Sequence, residues 1–276
     1  MLIDGKKIAD AVLEEIKHQI TGYKKPPKLV AVLVGNDPEL KSFLELKGKV
    51  AKRIGIEYEI EEFTEKISNT ELRAKIVALA KQSPVTGIII ELPLPAHLNT
   101  QYILNAVPME KDPDVLSQKA QGAFFVGRSS VLAPSAEAVK MICDEYRVEV
   151  RGRQCVVFGY GLLVGKQVAH WLLSQGATVS VINEHSPNPV SYARHADIIV
   201  SGVGKAGLVT ADMVKEGATV IDFGWDTTGG AATGDVDYAN VSAKAGLITP
   251  IPGGVGPLVV AAVLKNMLIL LQNSKS

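Results

Sequence analysis

Cysteine is scarce in this chain. Cys143 and Cys155 are the only two, each inside an apolar run and without metal-ligand spacing. This excludes a disulfide framework and points to reduced core thiols in a cytoplasmic protein. Histidine is also sparse: five residues form no ligand cluster, so no metal is expected. An excess of one charge is absent too. Lysine plus arginine number 29 and aspartate plus glutamate 29, which leaves no broad basic surface for nucleic acid or an acidic membrane. Any anionic ligand must be held by local features. Met1-Leu2-Ile3-Asp4-Gly5-Lys6-Lys7 lacks the basic-then-apolar layout of a secretory leader. The most apolar stretch, Leu258 to Leu271, is short for a bilayer span and is interrupted by Lys265 and Asn266, so no membrane segment is expected.

The chain does have alternation. Over 276 residues, apolar β-branched runs alternate with helical patterns, the mark of parallel α/β architecture, and the length suits one large domain or two ordinary ones. Strands are expected at Lys28–Gly35, Glu57–Phe63 and Gly87–Leu92, with helices at Asp37–Ile54 and Thr70–Gln82. Residues Lys111–Gly127 show no clear period and read as mostly loop. Further strands are expected at Gln154–Gly159, Ala177–Asn183, Asp197–Gly202, Thr219–Gly224 and Leu247–Ile251. Continuous runs such as Cys155-Val156-Val157-Phe158 suit strands covered on both faces. A boundary is expected near Ser130–Ser135, before a helix at Glu137–Tyr146. The last helix, Pro257–Gln272, is apolar on most faces and would pack back on the first domain. The expected domains are 1–133 together with the C-terminal helix 258–276, and a Rossmann-type domain at 134–257.

The motif Gly159-Tyr160-Gly161-Leu162-Leu163-Val164-Gly165 follows an expected strand and opens an expected helix. Glycines there allow a tight turn and close backbone approach, and the helix N-terminus offers N–H donors to a pyrophosphate. A ligand-free strand-to-helix turn is the alternative. Asn183-Glu184 ends the next strand, where a carboxylate can accept from the ribose hydroxyls of NAD and would repel the extra phosphate of NADP. A solvated loop glutamate is the competing reading. Ser201-Gly202-Val203-Gly204 and Phe223-Gly224-Trp225 end two more strands, at the carboxyl edge where open parallel sheets bind ligands; ordinary turns would look the same.

In the first half, Lys47 falls on the apolar stripe of Leu40, Phe43, Leu44, Ala51 and Ile54. Its ammonium either snorkels to solvent or enters a cleft. Glu91 ends a strand before Leu92-Pro93-Leu94-Pro95, whose prolines force the chain out of the sheet. It could pair with Lys47 or be solvated. Asp112 and Asp114 flank Pro113, and an Asx-turn explains them as well as a ligand site does. Pro252-Gly253-Gly254-Val255-Gly256-Pro257 offers a rigid loop with bare backbone against which a flat ligand could lie, or a structural turn.

These motifs, in this order, resemble the methylenetetrahydrofolate dehydrogenase/methenyltetrahydrofolate cyclohydrolase family (the FolD type) along nearly the whole chain. The resemblance rests on Ile3-Asp4-Gly5-Lys6, Leu92-Pro93-Leu94-Pro95, Lys111-Asp112-x-Asp114, Val203-Gly204-Lys205 and Pro252–Pro257. It implies oxidation of methylenetetrahydrofolate with NAD or NADP, then hydrolysis of the methenyl cation to formyltetrahydrofolate. It further implies a cytoplasmic homodimer with folate in a cleft between domains. Lys47 matches the family's catalytic lysine and Asp114 the aspartate that anchors the pterin. Glu91 takes a catalytic position, and Phe43, Leu92, Pro93, Pro252, Gly253, Gly254 and Val255 would line the folate site. Gly159, Tyr160, Gly161, Leu162, Val164, Gly165, Glu184, Val203, Gly204 and Trp225 would hold the dinucleotide.

The departures are specific. Phe43 stands where the family has a tyrosine, and Glu91 replaces the glutamine that hydrogen-bonds the lysine. A carboxylate there should keep the ammonium protonated and oppose its use as a base. Val115-Leu116 replaces Gly-Phe, Pro134-Ser135-Ala136 replaces Cys-Thr-Pro, Gly161 replaces a serine, Gln167 a proline and Val259 a threonine. Three functions remain open: the bifunctional enzyme, a dehydrogenase with little cyclohydrolase activity, and a non-catalytic folate- or nucleotide-binding relative.

Overall fold

A computed structural model of the protein describes residues 1–227, 230 and 232–274. In chain order the helices and strands begin with α1 (Gly5–Ile20), β1 (Lys28–Val34), α2 (Pro38–Arg53), β2 (Glu57–Phe63), α3 (Asn69–Ala80) and β3 (Val85–Ile90). Then come α4 (Thr100–Leu104), α5 (Gln118–Phe125), α6 (Pro134–Tyr146), β4 (Gln154–Phe158), α7 (Gly165–Ser174) and β5 (Thr178–Ile182). The chain ends with α8 (Pro189–Ala193), β6 (Ile198–Ser201), β7 (Thr219–Asp222), α9 (Tyr238–Val241), β8 (Leu247–Ile248) and α10 (Val255–Asn273).

The chain divides into two units, and both are discontinuous in sequence. One comprises Met1–Asp10 and Ser135–Val259, the other Ala11–Pro134 and Val260–Ser276. Residues 1–133 were expected in a single domain. The first ten instead join the later unit, because Leu2 bridges to Ile248 and Ile3 N donates to Ile248 O at 2.8 Å. Residues 275 and 276 of the expected C-terminal helix lie outside the described residues.

The Ala11–Pro134 unit carries a three-stranded parallel sheet in the order β2-β1-β3. The central strand, β1, is buried from Leu29 to Val34. Edge strand β2 alternates, with Glu57, Glu59 and Glu62 exposed, and charge along an edge discourages pairing with another chain. Strand β3 starts and ends two residues before the expected Gly87–Leu92. At its start the Thr86 hydroxyl both accepts from Lys28 N and donates to Lys28 O at 2.9 Å, and at its end the chain turns into a cis Leu92–Pro93 bond.

The expected loop Lys111–Gly127 contains α5, capped by Ser117, which accepts from Ala120 N. Gly122 hides the helical period, while Ala120 and Phe124, four apart, form the buried face. Helix α1, in a stretch where no element was expected, buries Ile8, Ala9, Leu13, Ile16 and Ile20.

Helix α10 is 19 residues long, longer than expected, and by length and composition alone could cross a membrane, yet over half of its most apolar window is buried within the protein. Met267 lies against β3 at Gly87, so a Cβ at Gly87 would stand 2.8 Å from Met267 Cγ. Asn266, 1% exposed, is not a defect in the helix: its amide donates to Pro113 O at 2.9 Å and Leu132 O at 2.7 Å.

The other unit holds a five-stranded parallel sheet in the order β5-β4-β6-β7-β8. Val156, Phe158, Ile199 and Val220 pack with Ala196, Val209, Val214 and Val241 in one buried cluster. Strand β8 stops at Ile248, three residues early, because Pro250 and Pro252 have no N–H for a ladder. Cys143 and Cys155 are free and buried, and burial pushes both thiols up to about 12.

Candidate active site

Helix α2 starts as its sequence dictates. Asp37 caps it, accepting from Glu39 N at 2.8 Å and Leu40 N at 3.2 Å, and Pro38 takes the first helical position. Phe43 is half-buried one turn before Lys47. The Lys47 ammonium donates to Glu91 Oε2 at 2.6 Å, with the two side chains only 23% and 12% exposed. The lysine does not snorkel and the glutamate is not a solvated strand end. Glu91 is set by the sheet, since its N–H donates to Val32 O at 3.0 Å just past β3. Leu92 is half-buried and Pro93 exposed.

The Lys111-Asp112-x-Asp114 motif separates into parts. Lys111 donates to Ala80 O at 2.7 Å and Gln82 O at 3.3 Å, closing the end of α3. Asp112, 3% exposed, accepts from Ser117 N at 2.7 Å and Leu116 N at 3.1 Å, which is the Asx-type role. Asp114 is different. Burial raises its carboxyl to about 7 against the pull of the Lys47 ammonium, and the charges of Asp112 and Glu91 raise it further. Lys47, Glu91 and Asp114 therefore form one electrostatically coupled set. Val115, fully buried, sits at φ 57°, where a β-branched residue is strained.

Tyr58 of β2, not singled out by the sequence, joins this neighbourhood. Its ring lies against Gly48, the residue after Lys47: a Cβ there would stand 2.6 Å from Tyr58 Cδ1. Its hydroxyl is buried and has no hydrogen-bond partner among the described residues. Burial raises the phenol, and the Glu91 and Asp114 carboxylates raise it further. A lone tyrosine in an edge strand carries no sequence signal for this.

In the other unit, the glycine loop leaves β4 as a tight turn. Gly159 has φ 88°, and a Cβ on Gly165 would overlap the Gly159 carbonyl. Gly161 is exposed with open space about it, Leu162 and Val164 are half-buried, and Tyr160 is exposed with Lys166 Nζ 5.4 Å from its ring centroid. Among the described residues helix α7 has no side-chain N-cap; Lys166 N donates to Gly161 O at 3.1 Å, and the helix's positive end lies at the loop. The turn thus leaves open space at Gly161 beside the positive end of a helix.

Val203 and Gly204 lie beside this loop. Val203 Cγ2 is 3.1 Å from where a Gly159 Cβ would be, and Trp225 O is 3.8 Å from the same point on Gly204. Glu184 follows β5, whose Ile182 O accepts from Gly159 N at 2.7 Å; its side chain is 82% exposed, with His185 at 3.7 Å. Pro252, after a cis Ile251–Pro252 bond, and Gly253 are exposed, while Gly254 and Val255 are buried and Gly254 N donates to Pro250 O at 3.0 Å.

Two buried carboxylates under these loops also escaped sequence reasoning. Asp222 is 3% exposed and Asp235 fully buried. Burial pushes Asp222 up to about 6, opposed by hydrogen bonds from Val236 and Gly224 N–H. The one legible signal was an aspartate inside the otherwise apolar run Thr219–Gly224.

Comparison with known proteins agrees with both halves. Residues 3–114 match the family model for the tetrahydrofolate dehydrogenase/cyclohydrolase catalytic domain, and residues 133–275 the model for the NAD(P)-binding domain of the same family. The bifunctional protein FolD of Nitratiruptor sp. is 38% identical over 269 residues, covering 96% of this chain and 95% of that protein. The crystal structure of the bifunctional FolD enzyme from Campylobacter jejuni superposes with a TM-score of 0.96 at 34% identity, covering 99% of each chain. The Trypanosoma brucei enzyme, solved with NADP cofactor and an inhibitor, gives 0.94 at 30% identity, over 100% of this chain and 98% of that one.

Proposed function

Because the chain belongs to the tetrahydrofolate dehydrogenase/cyclohydrolase family, we propose that it oxidises methylenetetrahydrofolate with NAD or NADP and hydrolyses the methenyl product to formyltetrahydrofolate. The observation that carries this reading is the half-buried Lys47–Glu91 pair beside the raised carboxyl of Asp114. Asp114 can hydrogen-bond the pterin, as donor when protonated and acceptor when ionised. Phe43, Leu92 and Pro93, in the same unit, supply apolar surface beside it.

A nicotinamide dinucleotide, when bound at Gly159–Gly165, supplies the hydride acceptor. Loss of hydride from the folate methylene leaves a cation; water adds to its bridging carbon with release of a proton, and that carbon's bond to one nitrogen then breaks, the hydroxyl proton passing to the nitrogen and leaving the formyl group on the other. Lys47 orients the folate and the water. As an ammonium it polarises rather than removes a proton. Glu91, hydrogen-bonded to that ammonium, holds it in place and restrains it. The 2.6 Å ion pair favours a second reading, a dehydrogenase with weak cyclohydrolase activity. Exposed Glu184 supports NAD over NADP.

The same reading makes the protein a cytoplasmic homodimer acting on tetrahydrofolate derivatives, without nucleic-acid or membrane partners. The balanced 29 and 29 charges and the more than half-buried apolar window of α10 support the absence of nucleic-acid and membrane partners. The deciding experiment supplies purified protein with methylenetetrahydrofolate and either dinucleotide, follows methenyl formation by absorbance, and assays methenyl hydrolysis separately. Absence of both activities with folate binding intact would leave only a binding role.

A further inference from the structure

Asp235 and Asp222 take no part in the chemistry above, yet their bonds lead directly to the dinucleotide side. Asp235 Oδ2 accepts from Ser201 Oγ at 2.6 Å and from Val203 N at 2.7 Å, and its Oδ1 accepts from Lys205 N at 2.7 Å. One buried carboxylate thus grips both ends of Val203-Gly204-Lys205, the tripeptide that leaves β6 by way of Gly202. Asp222 fixes the segment that carries Asp235. Its Oδ1 accepts from Gly224 N at 2.8 Å and Asp235 N at 3.2 Å, and its Oδ2 from Val236 N at 2.9 Å.

The approach leaves no room for side chains. A Cβ on Gly224 would overlap the Asp235 carboxylate, and one on Gly234 the Asp222 carboxylate. The gripped loop itself faces outward, with Val203 46% exposed. A buried carboxylate is costly unless fully hydrogen-bonded. Here two of the three donors to Asp235 are backbone N–H groups of an exposed loop, the third being the buried Ser201 hydroxyl, and charge-assisted bonds hold the loop in one conformation. A loop fixed in advance loses less freedom when it meets its ligand.

We propose that Asp235 is a positioning residue for the dinucleotide, clamping Val203–Lys205 in its binding conformation, with Asp222 holding the clamp. The proposal rests on the cofactor reading given above. Three measurements test it: amide exchange in the unaltered protein, dissociation constants for NADH and NADPH by fluorescence, and separate KM values for dinucleotide and folate. In the unaltered protein, the Val203 and Lys205 amides should exchange on the order of a hundred-fold slower than unbonded loop amides. Asp235→Asn keeps the shape but loses the charge and one acceptor. It should raise the dinucleotide Kd and KM about ten-fold or more while the folate KM stays within about two-fold.

A merely structural role would lower thermal stability and the active fraction without separating the two KM values. If Asp235→Asn does not fold, Ser201→Ala removes one bond to the same carboxylate and should raise the dinucleotide Kd about two- to five-fold. Fast exchange at Val203 and Lys205, or an unchanged dinucleotide Kd in a folded variant, overturns the clamp alone. If the unaltered protein binds neither dinucleotide, the cofactor reading falls and the clamp with it.

Discussion

Lys47 and Glu91, forty-four positions apart, meet as a 2.6 Å ion pair because α2 carries one and the end of β3 the other. Replacing the carboxylate should release the lysine. Glu91→Gln is expected to raise methenyl hydrolysis at least several-fold, with dinucleotide binding unchanged. Lys47→Met leaves Glu91 unpaired and should cost about 2 kcal/mol of stability as well as the hydrolytic step. Stopped-flow hydrolysis assays and denaturant titrations check both, and equal hydrolysis by Glu91→Gln and the parent would refute restraint by the pair.

Asp114 should make stability fall as pH rises. Its folded carboxyl, at about 7, lies above the usual 3.8, so the folded state binds the extra proton between those values. The contribution is complete below about 4 and is lost as pH climbs through 7. Asp114→Asn imitates the neutral acid and should flatten this part of the profile, gaining about 2 kcal/mol at pH 8 while folate binding weakens. Unfolding in urea from pH 4 to 8, compared with the parent, isolates this group from Asp112 and Asp222, which are raised in the same direction.

Val115 offers a test of backbone strain. Val115→Gly loses a buried side chain and adds chain freedom, together about 3 kcal/mol, but relieves about 1–2 kcal/mol at its positive φ. Its net loss should be about 1–2 kcal/mol, clearly below that of Val30→Gly, a fully buried valine in β1. Equal losses in urea would remove strain as the cause.

Tyr58 bears an unpaired buried hydroxyl, so Tyr58→Phe should stabilise by about 1 kcal/mol. Gly48→Ala should destabilise, since the new methyl meets the Tyr58 ring. A lower melting temperature for Tyr58→Phe would show that the hydroxyl has a partner in solution.

For the dinucleotide, Glu184→Ser should improve kcat/KM with NADP about ten-fold while lowering it with NAD. Unchanged ratios would mean that this exposed carboxylate faces only water.

Much of the architecture was legible because parallel strands buried on both faces leave continuous apolar runs, as in β1 and β4. One cap was legible as well, at Asp37, whereas Gly122 masked the helix that Ser117 begins. The Lys47–Glu91 pair could be expected from a lysine on an apolar stripe and a glutamate at a strand end. Asp222 and Asp235 were harder, because most of the backbone amides they bind lie more than ten residues away. Tyr58 was harder still: its burial depends on the missing side chain of Gly48. What a single sequence hides is the partner, not the residue.

The two-part partition also bears on synthesis. Each unit takes residues from both the early and the late part of the chain, with Met1–Asp10 joining Ser135–Val259 and Ala11–Pro134 joining Val260–Ser276. A chain emerging from the ribosome in order can complete the Ala11–Pro134 unit only once its last helix is out, and the other only once Val259, near the start of that helix, has emerged. The first 134 residues must wait with the Gly87 face of their sheet uncovered by Met267. Contacts of such long sequence separation slow folding and leave apolar surface open to aggregation. Fragments cut at the apparent boundary would each lack a strand or helix from the opposite end, and co-expressed halves would have to exchange those ends to recover either unit.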